Sequence, residues 1–540
     1  MAYKLNSLTF QKGQGGSGRQ ANGTDYISAL MFYNDTRPAA LLAALPGGVD
    51  NFATGSVIQI FSPDDAVALG IDDTHSDETK ATASVTVTAI GSNGDTYTLK
   101  VAEWVGGTGG GVVTLGTYTK VSGDSTTTLV AVGIVAAINA GTNTHGYTAT
   151  NAAAVVTITA RAKMGAFLNS GTPVTAVIVG TIAATIAQFG AGALVDGVAS
   201  KLAVYYYHIQ RYFAMKPDGT LYIGIFNAAG SGTFSDIDNI ANYSKGTVVQ
   251  MGIWDDTQTF ALASLTAIQT RLAALEVAYK YISSVTYAAD IKAISTPLTT
   301  LAGASYNLAT LSAYKVSALI DNDGDGTGYD LFKETGKTIS SLGACIGCIS
   351  EAAISEDMGN IIARFNCDDG VEFDTLMFGD GTFYDTVSKS QLDSLNNNRY
   401  VYLSKVAYTS GSWYSDDHTA VAYTSDYAWI HDNRIIDRVI KDEFVALTPL
   451  LKSKLKLKTD GTMTDQTIAY IISIAGEVIR ALIASEDLAG DPNNFDASKW
   501  ILVNPTQKPN VNGKLIVAIK LVENAIAHTI EVPIGFASSL

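Results

Sequence analysis

The chain has 540 residues, with 35 Lys and Arg against 51 Asp and Glu, a formal net charge of −16. That acidity argues against nucleic acid as the main partner, because phosphate binding needs a basic face. Hydrophobic residues make up 47% of the chain, enough for packed cores, whereas charged residues make up only 16%, a sparse supply that favours a protein burying surface against copies of itself.

The first ten residues, Met1 to Phe10, lack the long apolar core of a signal peptide. Gly13-Gln-Gly-Gly-Ser-Gly18 has the spacing of a dinucleotide-binding loop. The next residues, Arg19-Gln-Ala-Asn-Gly-Thr-Asp25, open no helix, so the run reads as a glycine linker after an N-terminal strand.

Residues 75–197 have a different texture. Ala83–Ile90 and Ala154–Ala160 alternate apolar residues with Thr and Ser, the period of half-buried strands, and Gly106–Gly111 is a turn cluster. One helix is expected near Leu129–Ala140. Ala176–Val195 is apolar over about the length that crosses a bilayer. Gly180, Gly190 and Gly192 interrupt it, however, and its Val-Ile-Val and Thr-Ile-Ala runs read as buried strands beside a short helix. The whole stretch reads as a β-rich domain inserted into another fold.

From 198 to 398 compact apolar strands alternate with helical patterns. Strands are expected at Leu221–Phe226, Val248–Trp254 and Val316–Ile320, and helices at Thr257–Ser283 and Ile339–Ile354. This alternation favours a mainly parallel sheet. Asp321-Asn-Asp-Gly-Asp-Gly326 matches the first half of a calcium loop, but Phe332 stands where the bidentate Glu belongs. Asp and Gly are also what a turn prefers, and the segment reads as one. Gly336-Lys-Thr338 is not a phosphate-binding loop, since Leu331 occupies the required glycine position. Cys345 and Cys348 have CxxC spacing, which suits a redox pair or half a zinc site. No second CxxC accompanies them, and with Cys367 they read as inert thiols on a small-residue core helix.

Beyond 399, a strand is expected at Tyr400–Val406 and a helix at Asp432–Leu447, with Ile436, Val439, Ile440, Phe444 and Leu447 on one face. A second helix begins near Thr464. Two strands, Leu515–Val522 and Ile526–Phe536, close the chain. Asp416-Asp417-His418 could belong to a metal or acid–base site, but Trp413, Tyr414 and Tyr423 around it suggest a loop packed by aromatic residues. No HExxH or GxSxG pattern occurs.

Three stretches together carry a family resemblance. Ser412-Trp-Tyr-Ser-Asp-Asp-His418, then Ser425–Phe444 with its Asn433-Arg-Ile-Ile-Asp437, then Leu447-Thr-Pro449 resemble the C-terminal region of contractile tail sheath proteins. Tyr206–Ile223 is similar to the sheath segment leading into the first strand of the α/β domain. Val316–Asp321 followed by Ser341–Gly347 is similar to that family's strand, loop and small-residue helix. The resemblance covers about two-thirds of the chain and leaves out the β-rich insertion.

The fold class expected is α+β and multidomain. An N-terminal arm and first part of the core (1–74) precede the inserted domain (75–197), an α/β domain (198–398) and a mixed C-terminal sheath domain ending in a strand arm (399–540). The resemblance implies a structural subunit that forms six-membered rings stacked helically around a tail tube and contracts to drive the tube through a cell envelope. It implies no catalytic residues, cofactor, metal, nucleic acid or membrane insertion. The partners it implies are further copies of the chain, a tail tube protein, and baseplate and terminator proteins. The location it implies is the tail of a virion assembled in the host cytoplasm. Tyr3, Leu5 and Phe10 at one end, and Ile526, Ile530, Val532, Ile534 and Phe536 at the other, are expected to form arms that add strands to neighbouring subunits. Two other readings stay open: a virion surface or baseplate-associated protein whose β domain binds host glycans, and an acidic enzyme using residues 321–330 with a metal.

Overall fold

The computed structural model describes residues 25–104, 110–288 and 290–528. Its centre is a six-stranded sheet built from β1 (Ser28–Tyr33), β2 (Gly55–Ile60), β3 (Leu221–Phe226), β4 (Gln250–Trp254), β5 (Ser284–Ala288) and β6 (Val316–Leu319). The order is β6-β5-β4-β1-β3-β2, parallel throughout except for β2, which runs antiparallel to β3 at the edge. Parallel sheets need cover on both faces, and β1 shows it. Ala29, Met31 and Tyr33 pack into one apolar layer with Ile237, Ile240, Leu265 and Ile268, while Leu30 and Phe32 pack into the other with Tyr205, Ile209 and Leu342. Val401 extends this edge by one parallel bridge to Leu319. The strand expected over Tyr400–Val406 is otherwise reduced to Leu403–Ser404, paired with Trp413–Tyr414.

The second layer is formed by α1 (Lys201–Met215) and α2 (Leu342–Glu351). They touch at backbone distance. A Cβ on Gly343 would stand 2.0 Å from the His208 carbonyl oxygen, and one on Gly347 would stand 2.8 Å from that of Tyr212. This close approach explains the run of small residues on α2, and every residue from Leu342 to Ser350 is buried. Cys345 and Cys348 are free core thiols that burial holds well above the usual thiol range. The Cys348 sulfur lies 3.8 Å from that of Cys367.

On α1, His208 is fully buried near Phe32, Tyr207 and Trp254, with no hydrogen-bond partner for either ring nitrogen among the described residues. Burial pushes its pKa down to about 3. The unfolded chain binds this proton near pH 6.5, so the neutral ring's contribution is complete above that value and is lost as pH falls towards the folded pKa. His208→Phe is expected to remove a slope of about 1.4 kcal/mol per pH unit below pH ~6.5, measured as urea stability of variant against parent from pH 7 to 4.5. Equal slopes in the two proteins would show that the ring protonates within the fold.

Between the paired Thr79 and Val198 lie two antiparallel sheets that share no strand with the central one. Their orders are Thr148–Ala152, Val155–Thr159, Thr82–Ile90, Ile182–Ala187 and, separately, Gly110–Thr119, Thr96–Trp104, Val174–Val179. The helix Thr127–Asn139 packs on them through Val130, Ile134 and Ile138. The unit meets the body near Glu334, whose carbonyl accepts from the Ala166 amide at 2.8 Å. His75 and Asp77, inside the expected 75–197, bond to the body instead. His75 pairs with Glu334 at 3.0 Å, and Asp77 accepts the Lys201 amide at 3.0 Å at the start of α1.

Past Val401, α3 (Ile430–Leu447) and α4 (Asp465–Ala484) pack together with the hairpin Ile501–Val503/Val517–Ile519. Their separate core includes Ile435, Val439, Met463, Ile471, Ile479, Leu482 and Ile501. By length and composition α4 could cross a membrane; here Ile471, Ala475, Ile479 and Leu482 are buried in that core. The expected strand Leu515–Val522 shortens to Val517–Ile519. Ile526–His528 is irregular, and the rest of the expected closing strand lies outside the described residues, as does the Gly13–Gly18 run.

Candidate functional site

The Asn433-Arg434-Ile435-Ile436-Asp437 stretch lies on α3, and its polar members point inwards. Asn433 Nδ2 donates to the carbonyls of Tyr314, Tyr427 and Trp429. Arg434, 2% exposed, donates to the carbonyls of Ala352 and Ala353, which come directly after α2, and to that of Asp25. Asp437 pairs at 2.5 Å with Lys315, which enters β6, also meets Glu276 at 2.6 Å, and donates to the Ile282 carbonyl. A charged pair this deep stabilises little in net terms, but losing one partner strands the other charge. The helix therefore ties the central sheet, α2 and the N-terminal segment together. The expectation of one apolar face is corrected here: Ile436 is only half-buried, while His431, Asp432, Asn433, Arg434, Asp437 and Glu443 are buried because the helix is enclosed by several elements.

The acidic loop before α3 caps it. Asp417 Oδ2 accepts from the His431 amide at 3.0 Å and from its ring Nδ1 at 2.6 Å. Burial works against a charged His431, but Asp417 outweighs it and lifts the ring to about 9. Burial raises Asp432 to about 7. Arg399 spends its donors on the carbonyls of Thr419 and Ala428 and lies over the Trp429 ring. Of the aromatic residues expected to pack this loop, Trp413 and Tyr414 are buried, the indole N–H bonding to the Ile362 carbonyl and the Tyr414 hydroxyl meeting Ser341, whereas Tyr423 is exposed.

In the 321–330 segment the carboxylates of Asp321 and Asp323 are engaged by nearby donors. Asp321 accepts from the Ser341 amide and hydroxyl and the Leu403 amide, and Asp323 from the amides of Gly326 and Phe373. Glu372 accepts from the Thr327 and Gly328 amides at the start of helix Thr327–Thr335. Gly336 ends that helix in a left-handed conformation, the opposite of a phosphate loop opening one.

Of the expected arm residues, Tyr3, Leu5, Phe10, Ile530, Val532, Ile534 and Phe536 lie outside the described residues, and Ile526 is half-buried in irregular chain. Two further residues, Asp25 downstream of the N-terminal arm residues and His528 within the expected closing strand, are placed. Asp25 forms an ion pair with Arg438 on α3 and offers its carbonyl to Arg434. His528 stacks on Trp429, the residue capping the start of α3, with ring centroids 5.0 Å apart and planes 18° apart.

No family model matches the sequence, and no curated protein matches it either. Solved structures do. Two belong to the anti-feeding prophage: its baseplate (TM-score 0.41, 14% identity) and its helical sheath in the contracted state (TM-score 0.41, 15% identity), each matched over 62% of this chain and 81% of the other. A third is the sheath tail protein of Listeria innocua, with TM-score 0.35 and 12% identity over 90% of both chains. The chain is similar to contractile tail sheath proteins.

Sequence reasoning quoted Arg434 and Asp437 within a motif without assigning either a task. Asp25, Lys315 and Arg399 are distant in sequence from α3 and carry no local pattern. The one available signal was the density of charge on a helix otherwise rich in Ile and Val.

Proposed function

We propose that this protein is the subunit of a contractile tail sheath, a structural rather than catalytic protein. It forms six-membered rings stacked helically around a tail tube, bounded by baseplate and terminator proteins, and contracts to drive the tube through a cell envelope in a phage virion or related injection device. The observation that carries this reading is the convergence at α3. The helix bearing the sheath-like motif holds both Asp25, downstream of the expected N-terminal arm residues, and His528, which lies within the expected closing strand Ile526–Phe536. A pull on either arm would thus reach one rigid element, itself bonded to the central sheet through Asp437 and Lys315.

Electron microscopy of the purified chain tests the proposal. Wide-bore tubes or stacked rings are expected; dispersed single particles under all assembly conditions would refute it. The β-rich unit is proposed as an outward attachment that assembly does not need. Replacing Lys80–Gly197 with a short glycine–serine linker keeps Asp77 on α1 and joins two chain positions already paired. The shortened chain is expected to melt cooperatively and still polymerise, since excision is tolerated where few contacts cross a boundary. A shortened chain that fails to fold would place these strands in the body's own core.

A further inference from the structure

Where the C-terminal segment returns to the body, His528 faces two carboxylates, one of which, that of Asp416, also lies 3.6 Å from His418 Nε2. His528 Nδ1 lies 3.5 Å from Asp416 Oδ1 and 3.7 Å from Asp357 Oδ2. An N–H···O hydrogen bond spans about 2.7–3.2 Å, so both separations are too long for one. They suit a different arrangement: two ligands each about 2.0–2.1 Å from a tetrahedral ion stand about 3.4 Å apart. One donor atom from each of the three residues lies within 4.8 Å of the others.

The surroundings supply what such a site needs. Asp357 and Asp416 are 9% and 8% exposed, yet among the described residues no Lys or Arg comes within ion-pairing distance of either. Arg399, the nearby cation, is turned to carbonyls. Both carboxylates are oriented by backbone amides, Asp357 by Gly359 at 2.6 Å and Asp416 by Asp417 at 2.9 Å, as outer-shell bonds orient metal ligands. Among the described residues, Asp417, 1% exposed, keeps Oδ1 without a hydrogen-bond partner, and its charge acts on Asp357 more strongly than that of any other ionised group. Buried carboxylates left without a cation are costly.

We infer that Asp357, Asp416 and His528 bind a divalent transition-metal ion that ties the C-terminal segment to the body. Two carboxylate oxygens and one imidazole nitrogen make a donor set that zinc accepts, and the fourth position is open to water. The site stands on its own geometry and does not depend on the sheath reading.

Zinc is the probe. The full chain, stripped with chelator and dialysed, is titrated with ZnCl2 by calorimetry and melted with and without the ion. One Zn2+ per chain and a raised Tm are expected, because an ion that binds only the folded state stabilises it. Asp357→Asn, Asp416→Asn and His528→Ala are each expected to weaken binding by about 100-fold or more, since even outer-shell changes cost about 10–100-fold. Should the Asp variants fold poorly, His528→Ala decides, because His528 sits on an irregular segment outside the core; circular dichroism checks that its fold is native. No saturable Zn2+ binding by the parent would overturn the site and leave a protonated His528 paired with two carboxylates. Parent-like binding by a folded His528→Ala chain would overturn it equally.

Discussion

Gly343→Ala is expected to destabilise the body by about 3 kcal/mol, near the top of the range for overpacked cores. Alanine's helix propensity returns at most about 1 kcal/mol, and the added methyl would sit 2.0 Å from the His208 carbonyl oxygen. A flexible side chain could swing aside; a main-chain carbonyl inside α1 cannot. Relief requires α1 and α2 to part, which breaks the contact between Tyr212 Oη and Ser350 Oγ at 3.2 Å and opens the layer beneath Leu30 and Phe32. Urea midpoints measure the loss. Gly123→Ala is the control, with open space around its Cβ and an expected change near zero. Matching midpoints for Gly343→Ala and the parent would show that the two helices do not approach this closely.

The parts legible in sequence were those governed by local periodicity. Leu221–Phe226 and Val316–Leu319 announced themselves as short apolar runs, and Thr82–Ile90 as an alternation of apolar residues with Thr and Ser. Small residues on Leu342–Glu351 implied close packing, although nothing named the partner carbonyls. Boundaries failed where a single backbone angle decided them. The helix expected through Ser283 stops at Val277, because Tyr279 takes a positive φ of 60° and the chain turns into β5. The polar interior of α3 was illegible for a different reason. Every residue of Ile430–Ile435 is buried, so the start of the helix has no solvent face to produce a periodic pattern, and the partners of Arg434 and Asp437 lie 81 and 122 residues away.

Removing Ala525–Leu540 is expected to abolish polymerisation while leaving the body folded. Among the described residues, Ala525–His528 pairs with no strand, so the cut opens no sheet. The last anchors of the C-terminal unit stay in place: the Val522 carbonyl accepts the Ala489 amide at 2.9 Å, and Asn524 donates to the Glu486 carbonyl at 2.9 Å. What the cut removes is the alternating run Ile530, Val532, Ile534 and Phe536. Added as a strand to a neighbour, the run would supply main-chain hydrogen bonds and put apolar side chains into the neighbour's pockets. Each side chain is worth about 1.5–3 kcal/mol when fully buried, and a helical lattice repeats that gain at every contact. The truncated chain should sediment as a monomer with parent-like circular dichroism. Changing Ile530 and Ile534 together to Asp separates arm exchange from the His528 contacts, because it keeps His528 and places charges only on the face meant for burial. Tubes of parent length from either variant would show that the arm does not carry assembly. Unfolding or aggregation of the truncated chain would show instead that the run completes its own subunit, since a strand lent to a neighbour can be removed without exposing the core of the chain that lends it.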